Sequence, residues 1–225
     1  MSNYLKKTRN YWISDASFVT LLGMLIFTIF ILPVLIDSKG DTAIFLNFMF
    51  ISLFFIGVFS SNNKGYLIAS ISLLTIHLLL RLIRFTDNPH EFYLLERVVI
   101  ILNLMLLVVI NISLLFRDQE INTYRVIGAV NVYLLLALAG AFGFELIQLT
   151  SGNAIDGNIE LLGRDGDYGT YIYFSLVSIS TVGFGDIYAE GITAKMLAVF
   201  LSVLGILYPA VIIAKLVSFS TEIKK

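Results

Sequence analysis

The sequence contains no cysteine and only 3 prolines and 2 histidines among its 225 residues. Without cysteine, neither a disulfide framework nor a thiolate metal site can form. The two histidines, His77 and His90, are too far apart to make a repeated metal-binding motif. No nucleophile, base and metal ligands converge along the chain, so we expect neither an enzyme nor a cofactor.

Charged residues are also scarce, at 14% of the chain, and the net charge is −1. No basic run exceeds two residues, which argues against nucleic-acid binding. Hydrophobic residues, in contrast, make up 58% of the sequence. A soluble domain of this size cannot bury so much apolar surface, so we expect the lipid bilayer to be its solvent.

Six apolar stretches approach the length of about 20 residues that spans a bilayer core of about 30 Å. These stretches are Ser17–Ile36, Thr42–Ser60, Gly65–Phe85, Val98–Phe116, Val126–Gln148 and Met196–Ala214. Buried helices of a large soluble protein are the alternative, but the short polar links fit membrane hydropathy better. The sequence therefore predicts an all-α membrane protein with six transmembrane helices.

The segment between the last two spans contains a further apolar stretch, Tyr168–Ser180. Because it is too short to cross a bilayer, we expect a re-entrant helix, capped at its start by Asp165 and Asp167. Glycine-rich backbone follows directly. Non-helical backbone at membrane depth is tolerated only where it is buried in protein or lines a water-filled path, so this segment indicates a pore.

Charge asymmetry predicts the orientation of the spans. With both termini in the cytoplasm, the inner side carries nine Lys and Arg against four acidic residues, as the positive-inside rule requires. The glycine-rich segment then faces outward among acidic residues that raise the local cation concentration. These residues are Asp156, Glu160, Asp165, Asp167, Asp186 and Glu190. Compact loops favour the plasma membrane of a prokaryotic cell.

The run Thr181-Val182-Gly183-Phe184-Gly185 resembles the selectivity filter of tetrameric potassium channels, which has Tyr or Phe at the fourth place. The resemblance implies that the backbone carbonyls of Thr181, Val182, Gly183 and Phe184 replace the hydration oxygens of K⁺, with the Thr181 hydroxyl as a further ligand. Glycine at 183 and 185 permits the backbone angles that turn successive carbonyls to one side. An ordinary glycine-containing loop is the alternative.

Each chain supplies one extended filter strand, which follows the re-entrant helix. Four strands are needed to surround an ion, so the resemblance implies a homotetramer of this chain with three further copies of itself. K⁺ is then the permeant ion. Two other functions stay open: a cation channel of weak selectivity, against which Phe184 argues, and a non-conducting subunit that modifies another channel.

The resemblance covers roughly Val126 to Ser218. It implies that Asp186 bonds to Tyr173, that Tyr173 and Phe174 brace the filter, and that Ser178 and Ser180 occupy the positions of threonines before it. Two departures are Val177, where many bacterial relatives have glutamate, and Ala189, where proline is common.

Three residues of the last two spans have two interpretations each. Glu145 either ties its helix to backbone near Gly191, as the resemblance implies, or faces water at a helix end. Gly205 and Pro209 form either a gating hinge of the inner helix or a static kink that serves packing.

The order of the spans resembles that of voltage-gated channels, whose fourth span carries regularly spaced arginines. Here the fourth span has Arg97 at its outer end and no charge within it. The third span has Arg81 and Arg84, for which snorkelling to the outer interface is favoured over a vestigial sensor. Their expected partners are Asp87, Glu91 and Glu96. We expect weak or no voltage dependence, and for His77 a hydrogen-bonded interior position rather than a proton relay.

The predicted organisation has five parts. Residues 1–16 are a cytoplasmic segment, 17–116 a four-helix transmembrane domain, 117–125 a cytoplasmic linker, 126–218 the pore domain and 219–225 a short tail. We expect no gating by a cytosolic nucleotide or calcium domain within this chain.

Overall fold

A computed structural model describes residues 14–15, 17–38, 43–60, 63–84, 92–117 and 122–222, and the statements below concern these residues. In chain order the elements are α1 (Ser17–Ile26), a π-helical segment (Phe27–Ile31), α2 (Leu32–Ser38), α3 (Ala43–Ser60), α4 (Lys64–Arg84), α5 (Tyr93–Leu115), α6 (Thr123–Ser151), β1 (Ile155–Gly157), a 3-10 turn (Arg164–Asp167), α7 (Tyr168–Ile179), β2 (Ile187–Ala189) and α8 (Ile192–Glu222).

Five helical segments of the described chain are long and apolar enough to cross a membrane. They are Ser17–Ile36, Lys64–Arg84, Tyr93–Leu115, Thr123–Ser151 and Ile192–Lys215. The protein is therefore mostly helical and has the character of a multi-pass membrane protein. The second predicted span corresponds to α3, of which Phe48–Val58 is a shorter apolar helix. Six spans thus stay a prediction.

Several helices extend beyond their predicted limits, and α5 and α6 do so in ways that bear on the site. α5 begins at Tyr93 instead of Val98, so Arg97 lies inside the helix, buried, and not at its outer end. α6 begins at Thr123, because the Asn122 side chain accepts a hydrogen bond from the Arg125 N–H at 3.0 Å and caps the helix. The end of the predicted linker is therefore helical, while its residues 118–121 lie outside the described chain.

The first span changes its hydrogen-bond pattern next to Pro33. The Leu32 N–H donates to the Phe27 carbonyl, one residue further back than in an α-helix. Pro33 has no N–H to donate. The Thr28 carbonyl therefore lacks its usual backbone donor, and the Tyr168 hydroxyl donates to it at 2.8 Å. A proline in the first span thus creates an acceptor for α7.

α6 is the central helix of the described chain. It packs against α1, α5, α7 and α8. Leu135, Leu138 and Phe144 on this helix are fully buried, and they belong to one apolar core that includes residues of α1, α3, α5 and α7. The N-terminal helical unit, which we define as α1–α5, therefore shares a continuous core with the region that contains Thr181–Gly185.

Candidate functional site

α7 is a helix of 12 residues, about 18 Å long, and is held between α6 and α8. The Ser175 hydroxyl donates to the Ala137 carbonyl of α6 at 2.6 Å. Gly140 makes this approach possible, since a Cβ there would lie 2.5 Å from the Ser175 Oγ and 2.7 Å from a methyl carbon of Leu201. The sequence pattern predicted a short helix at this place, and the structure contains it.

The carbonyl end of α7 is bonded to both neighbouring helices. The Tyr133 hydroxyl of α6 donates to the Ile179 carbonyl at 3.1 Å, and the Ser202 hydroxyl of α8 donates to the Ser178 carbonyl at 2.9 Å. Sequence reasoning missed both residues. They satisfy carbonyls that the last turn of a helix leaves without intrahelical partners.

Gly205 lies against the same end of α7. A Cβ at this position would lie only 1.6 Å from the Ile179 carbonyl oxygen. This close approach explains why residue 205 is a glycine, and no hinge in α8 is needed to explain it. α8 runs as one helix through Gly205 and Pro209, and the Tyr208 hydroxyl of that turn donates to the Ala129 carbonyl of α6 at 2.9 Å. The packing alternative thus has direct support at Gly205.

The segment Thr181–Gly185 follows α7 after one residue. Two turn hydrogen bonds start it: the Thr181 N–H donates to the Ser178 carbonyl and the Val182 N–H to the Val177 carbonyl, each at 3.1 Å. The backbone then has a positive φ at every second residue, 60° at Thr181, 58° at Gly183 and 82° at Gly185.

Thr181 is the one non-glycine residue with positive φ in the described chain. A left-handed residue other than glycine costs about 1–2 kcal/mol, and such strain concentrates at functional sites. The side chains of this segment are exposed in the single chain, Val182 by 53% and Phe184 by 70%.

Tyr173 and Asp186 are in contact, as the resemblance implied. The Tyr173 hydroxyl donates to Asp186 Oδ2 at 2.7 Å, and this bond holds the pKa of the Asp186 carboxyl below its ordinary value. The Tyr173 ring also stacks on Phe184, with centroids 6.5 Å apart and an interplanar angle of 6°. Phe174, in contrast, packs edge-on against Phe144 of α6 at 4.7 Å.

Ser178 and Ser180 make local hydrogen bonds. The Ser178 hydroxyl donates to the Phe174 carbonyl at 2.8 Å, and the Ser180 hydroxyl to the Val177 carbonyl at 3.3 Å. Through these bonds both serines contact only the backbone of α7 itself.

A two-stranded antiparallel sheet follows the segment and was not predicted. β2 pairs with β1, and Ala189, at the position where proline is common in potassium channels, lies opposite Ile155. The Asn158 N–H donates to the Asp186 carbonyl at 3.1 Å, and the Tyr188 hydroxyl to Asp156 Oδ2 at 3.1 Å. Three-residue strands have no detectable periodicity, so no sequence signal could have found this pairing.

Both interpretations of Glu145 were wrong. Its carboxylate is buried and accepts hydrogen bonds from the Tyr93 hydroxyl at 2.6 Å and from Arg97 Nε at 2.9 Å. The Gly191 N–H, its expected neighbour, donates to the Asn153 carbonyl instead. Because α5 starts one turn earlier than predicted, Arg97 lies opposite Glu145, and a buried carboxylate requires such a partner.

Arg81 and Arg84 pair with acids, as expected, but Arg81 is buried inside the protein and does not extend to an interface. Arg81 pairs with Glu96 at 2.9 Å and Arg84 with Asp165 at 2.7 Å, while Arg97 pairs with Asp165 at 2.5 Å. Of their expected partners, Glu96 is present and Asp87 and Glu91 lie outside the described residues. Three arginines and three acids thus form what we call the outer charge cluster: Arg81, Arg84, Glu96, Arg97, Glu145 and Asp165.

Asp165 and Asp167 do not cap α7 with their side chains. Burial opposes ionisation of Asp165, but Arg97, Arg84 and Arg81 outweigh it and hold its pKa below the ordinary value. The Asp167 carboxylate instead accepts from the Leu162 N–H at 2.7 Å and the Gly163 N–H at 2.9 Å. The first carboxylate anchors the helix start to α4 and α5, and the second orders the loop before it.

The prediction of a hydrogen-bonded His77 was wrong. Its side chain is fully buried, and neither ring nitrogen has a hydrogen-bond partner among the described residues. The ring lies edge-on to Phe54, with centroids 5.1 Å apart. The same part of the chain contains no group of three His, Asp or Glu side chains that could hold a metal ion.

A comparison with known families matches residues 132–222 to a family model described as an ion channel. The match covers less than half of the chain and runs from α6 to the end of α8, so it includes α7 and Thr181–Gly185. No curated protein and no solved structure matches the chain. The match to an ion channel family thus includes the two C-terminal long helices together with the short helix and the strained segment between them.

Proposed function

We propose that the chain is one subunit of a homotetrameric, potassium-selective channel of the plasma membrane, with both termini in the cytoplasm. The observation that carries this proposal is the positive φ at residues 181, 183 and 185. In an ordinary strand successive carbonyls alternate between the two sides. A change of handedness at every second residue turns them toward a common side, where they can replace the water of a K⁺ ion.

The strain at Thr181 supports a role in ion binding. A threonine in the left-handed region is unfavourable, and the surrounding contacts must compensate for it. Here the end of α7 is fixed by Tyr133 and Ser202, and the far end of the segment by Tyr173 and Asn158. A segment fixed at both ends can keep the ligand positions that distinguish K⁺ from Na⁺.

The exposed surface of α8 supports assembly around an axis. Large apolar side chains of this helix are exposed in the single chain by 46–71%, and their spacing places them on one broad face. They are Ile192, Met196, Val199, Phe200, Val203, Ile206, Leu207, Val211 and Ile213. Lipid can cover some of them, but a single strand cannot surround an ion. Four copies close a ring of carbonyls, so we infer a fourfold assembly.

Two alternatives are less well supported. A weakly selective cation channel would tolerate a mobile filter. Here the Phe184 ring stacks on the Tyr173 ring, and the Tyr173 hydroxyl donates a hydrogen bond to Asp186, so two residues of this region are held by the same tyrosine. A non-conducting modifier subunit would not require the strained backbone at Thr181. The burial and pairing of Arg81 and Arg84 favour weak or no voltage dependence.

Flux into liposomes with a potassium gradient tests the proposal. Gly183→Ala is expected to abolish K⁺-selective flux, because a Cβ strains the backbone at a φ of 58° and this residue supplies one of the proposed carbonyl ligands. Gly152→Ala is the matched control, since Gly152 has a φ of 71° and equal space for a Cβ but ends α6 far from the filter. Equal flux of sodium through the unchanged protein would overturn potassium selectivity, and a detergent-solubilised mass near 25.1 kDa would overturn the tetramer.

A further inference from the structure

The start of α7 is attached to the N-terminal helical unit at two points. The Tyr168 hydroxyl donates to the Thr28 carbonyl at 2.8 Å, on the π-helical segment of the first span. The Asp165 carboxylate pairs with Arg84 at 2.7 Å and with Arg97 at 2.5 Å. The first span, α4 and α5 therefore all contact the few residues that begin α7.

The turn that carries Asp165 is continuous with α7. The Tyr168 N–H donates to the Asp165 carbonyl, so the 3-10 turn Arg164–Asp167 passes directly into the helix. α7 has 12 residues and no proline, and Thr181 follows two residues after its end. A shift of Asp165 is thus transmitted along a rigid rod of about 18 Å to the proposed filter.

We propose that Asp165 is a positioning residue for the filter. Its ion pairs with Arg84 and Arg97 hold the start of α7 against the N-terminal helical unit and thereby set the position of Thr181–Gly185. This inference rests on the proposed channel function and adds a mechanical role for α4 and α5. The contact lies at the outer end of the helices, at the opposite end of α6 from the linker that joins the two parts of the chain.

The charge count of the cluster provides the test. The outer charge cluster contains three arginines and three acids, all of low exposure. Asp165→Asn leaves one positive charge in excess, which destabilises a buried network more than removal of both partners. Arg84 is the most exposed arginine of the set, at 19% of its side chain. Arg84→Gln in addition to Asp165→Asn therefore restores the charge balance without restoring the attachment.

The two roles of Asp165 make opposite predictions for the double variant. If Asp165 positions the filter, Asp165→Asn lowers K⁺ flux per tetramer at least about tenfold, equivalent to about 1.4 kcal/mol, and raises the Na⁺/K⁺ flux ratio. The double variant recovers the thermal stability of the tetramer but not the flux or the ratio. If Asp165 serves charge balance alone, the double variant recovers all three, and that result would overturn the inference.

Glu160→Gln is the control for charge on the outer face. Glu160 is exposed and lies five residues before Asp165 in the chain. This variant removes one acidic charge without removing the ion pairs of Asp165, and so sets the size of a purely electrostatic effect on cation entry. An Asp165→Asn effect no larger than that of Glu160→Gln would contradict positioning.

Flux through the unchanged protein in the same liposomes distinguishes failure of this inference from failure of the proposed function. If the unchanged protein passes K⁺ selectively and Asp165→Asn does so equally well, the positioning role alone is wrong. If the unchanged protein passes no K⁺, or passes Na⁺ equally, the proposed function is wrong and this inference is overturned with it. Asp165→Glu, which keeps the charge on a longer side chain, is expected to recover part of the flux.

Discussion

Replacement of Gly205 by alanine tests the packing of α8 on α7. The added Cβ would lie 1.6 Å from the Ile179 carbonyl oxygen, whereas an ordinary contact of this kind needs at least 3 Å. The two helices must therefore separate by about 1.5 Å, and a backbone carbonyl at a helix end cannot rotate out of the way. Forced overpacking of this kind costs about 1–3 kcal/mol, occasionally more.

Helix propensity acts in the opposite direction at this position. Alanine stabilises a helix interior by about 1 kcal/mol relative to glycine. If Gly205 serves only as a hinge, Gly205→Ala should raise the melting temperature and alter gating. If close packing requires the glycine, the clash with a backbone carbonyl places the overpacking cost at the upper end of that range, about 3 kcal/mol. We then expect a net loss of about 2 kcal/mol together with reduced K⁺ flux.

Thermal unfolding of the detergent-solubilised protein separates the two outcomes. Gly143→Ala is the matched control, because a Cβ there would lie 2.9 Å from a terminal methyl carbon of Leu197, which can rotate away. We expect Gly143→Ala to be close to neutral and Gly205→Ala to melt at a clearly lower temperature. A Gly205→Ala protein as stable as the unchanged one, with only its gating altered, would refute the packing argument.

Three further predictions follow from the contacts around the site. Glu145→Gln should destabilise the protein by about 3 kcal/mol in thermal unfolding, because the buried Arg97 guanidinium loses one charged partner. An unchanged stability would contradict the buried ion pair. The hydrogen bond from Tyr173 lowers the pKa of Asp186 and is lost as pH falls through that pKa. Tyr173→Phe should therefore raise the pKa of Asp186 and move the loss of flux at acidic outer pH to a higher pH; an unchanged flux–pH profile would argue against the contact. Replacing both Arg81 and Arg84 by Gln should lower the current, because Asp165 loses a partner, but should leave the shape of a shallow conductance–voltage relation unchanged. A steep relation that flattens would show these arginines to be gating charges.

Local patterns in the sequence were sufficient to predict the helical parts of the fold and one contact beside the candidate site. Apolar length predicted the helices, and the short apolar run Tyr168–Ser180 predicted α7 to within one residue of its end. The Tyr173–Asp186 contact joins residues 13 positions apart, on either side of the segment Thr181–Gly185, so the motif itself indicated it.

The contacts that attach α7 to the N-terminal helical unit could not be predicted in the same way. The Tyr168–Thr28 bond spans 140 positions, and the Arg84–Asp165 pair spans 81. Such pairs depend on which helix faces come together in three dimensions, and a hydropathy pattern contains no such information. The error for Glu145 has the same origin, because its partner Arg97 lies on a helix that begins earlier than its apolar run.

A signal for part of the outer charge cluster was nevertheless present. Three arginines and several acids lay near the outer ends of predicted spans, where isolated charges are expensive unless they are paired. Their number near one end of the protein indicated pairing but did not identify the partners. Pro33 was a similar signal, since a proline inside a span leaves a carbonyl that another group must satisfy.

The reversal potential of the purified protein in a planar bilayer tests the central claim most directly. With a tenfold K⁺ gradient and Na⁺ replacing K⁺ on the dilute side, a K⁺-selective filter predicts a reversal potential close to the potassium limit of about 59 mV. Gly152→Ala should keep that value, and Gly183→Ala should lose the current. A reversal potential near zero for the unchanged protein would contradict the assignment of Thr181–Gly185 as a potassium filter.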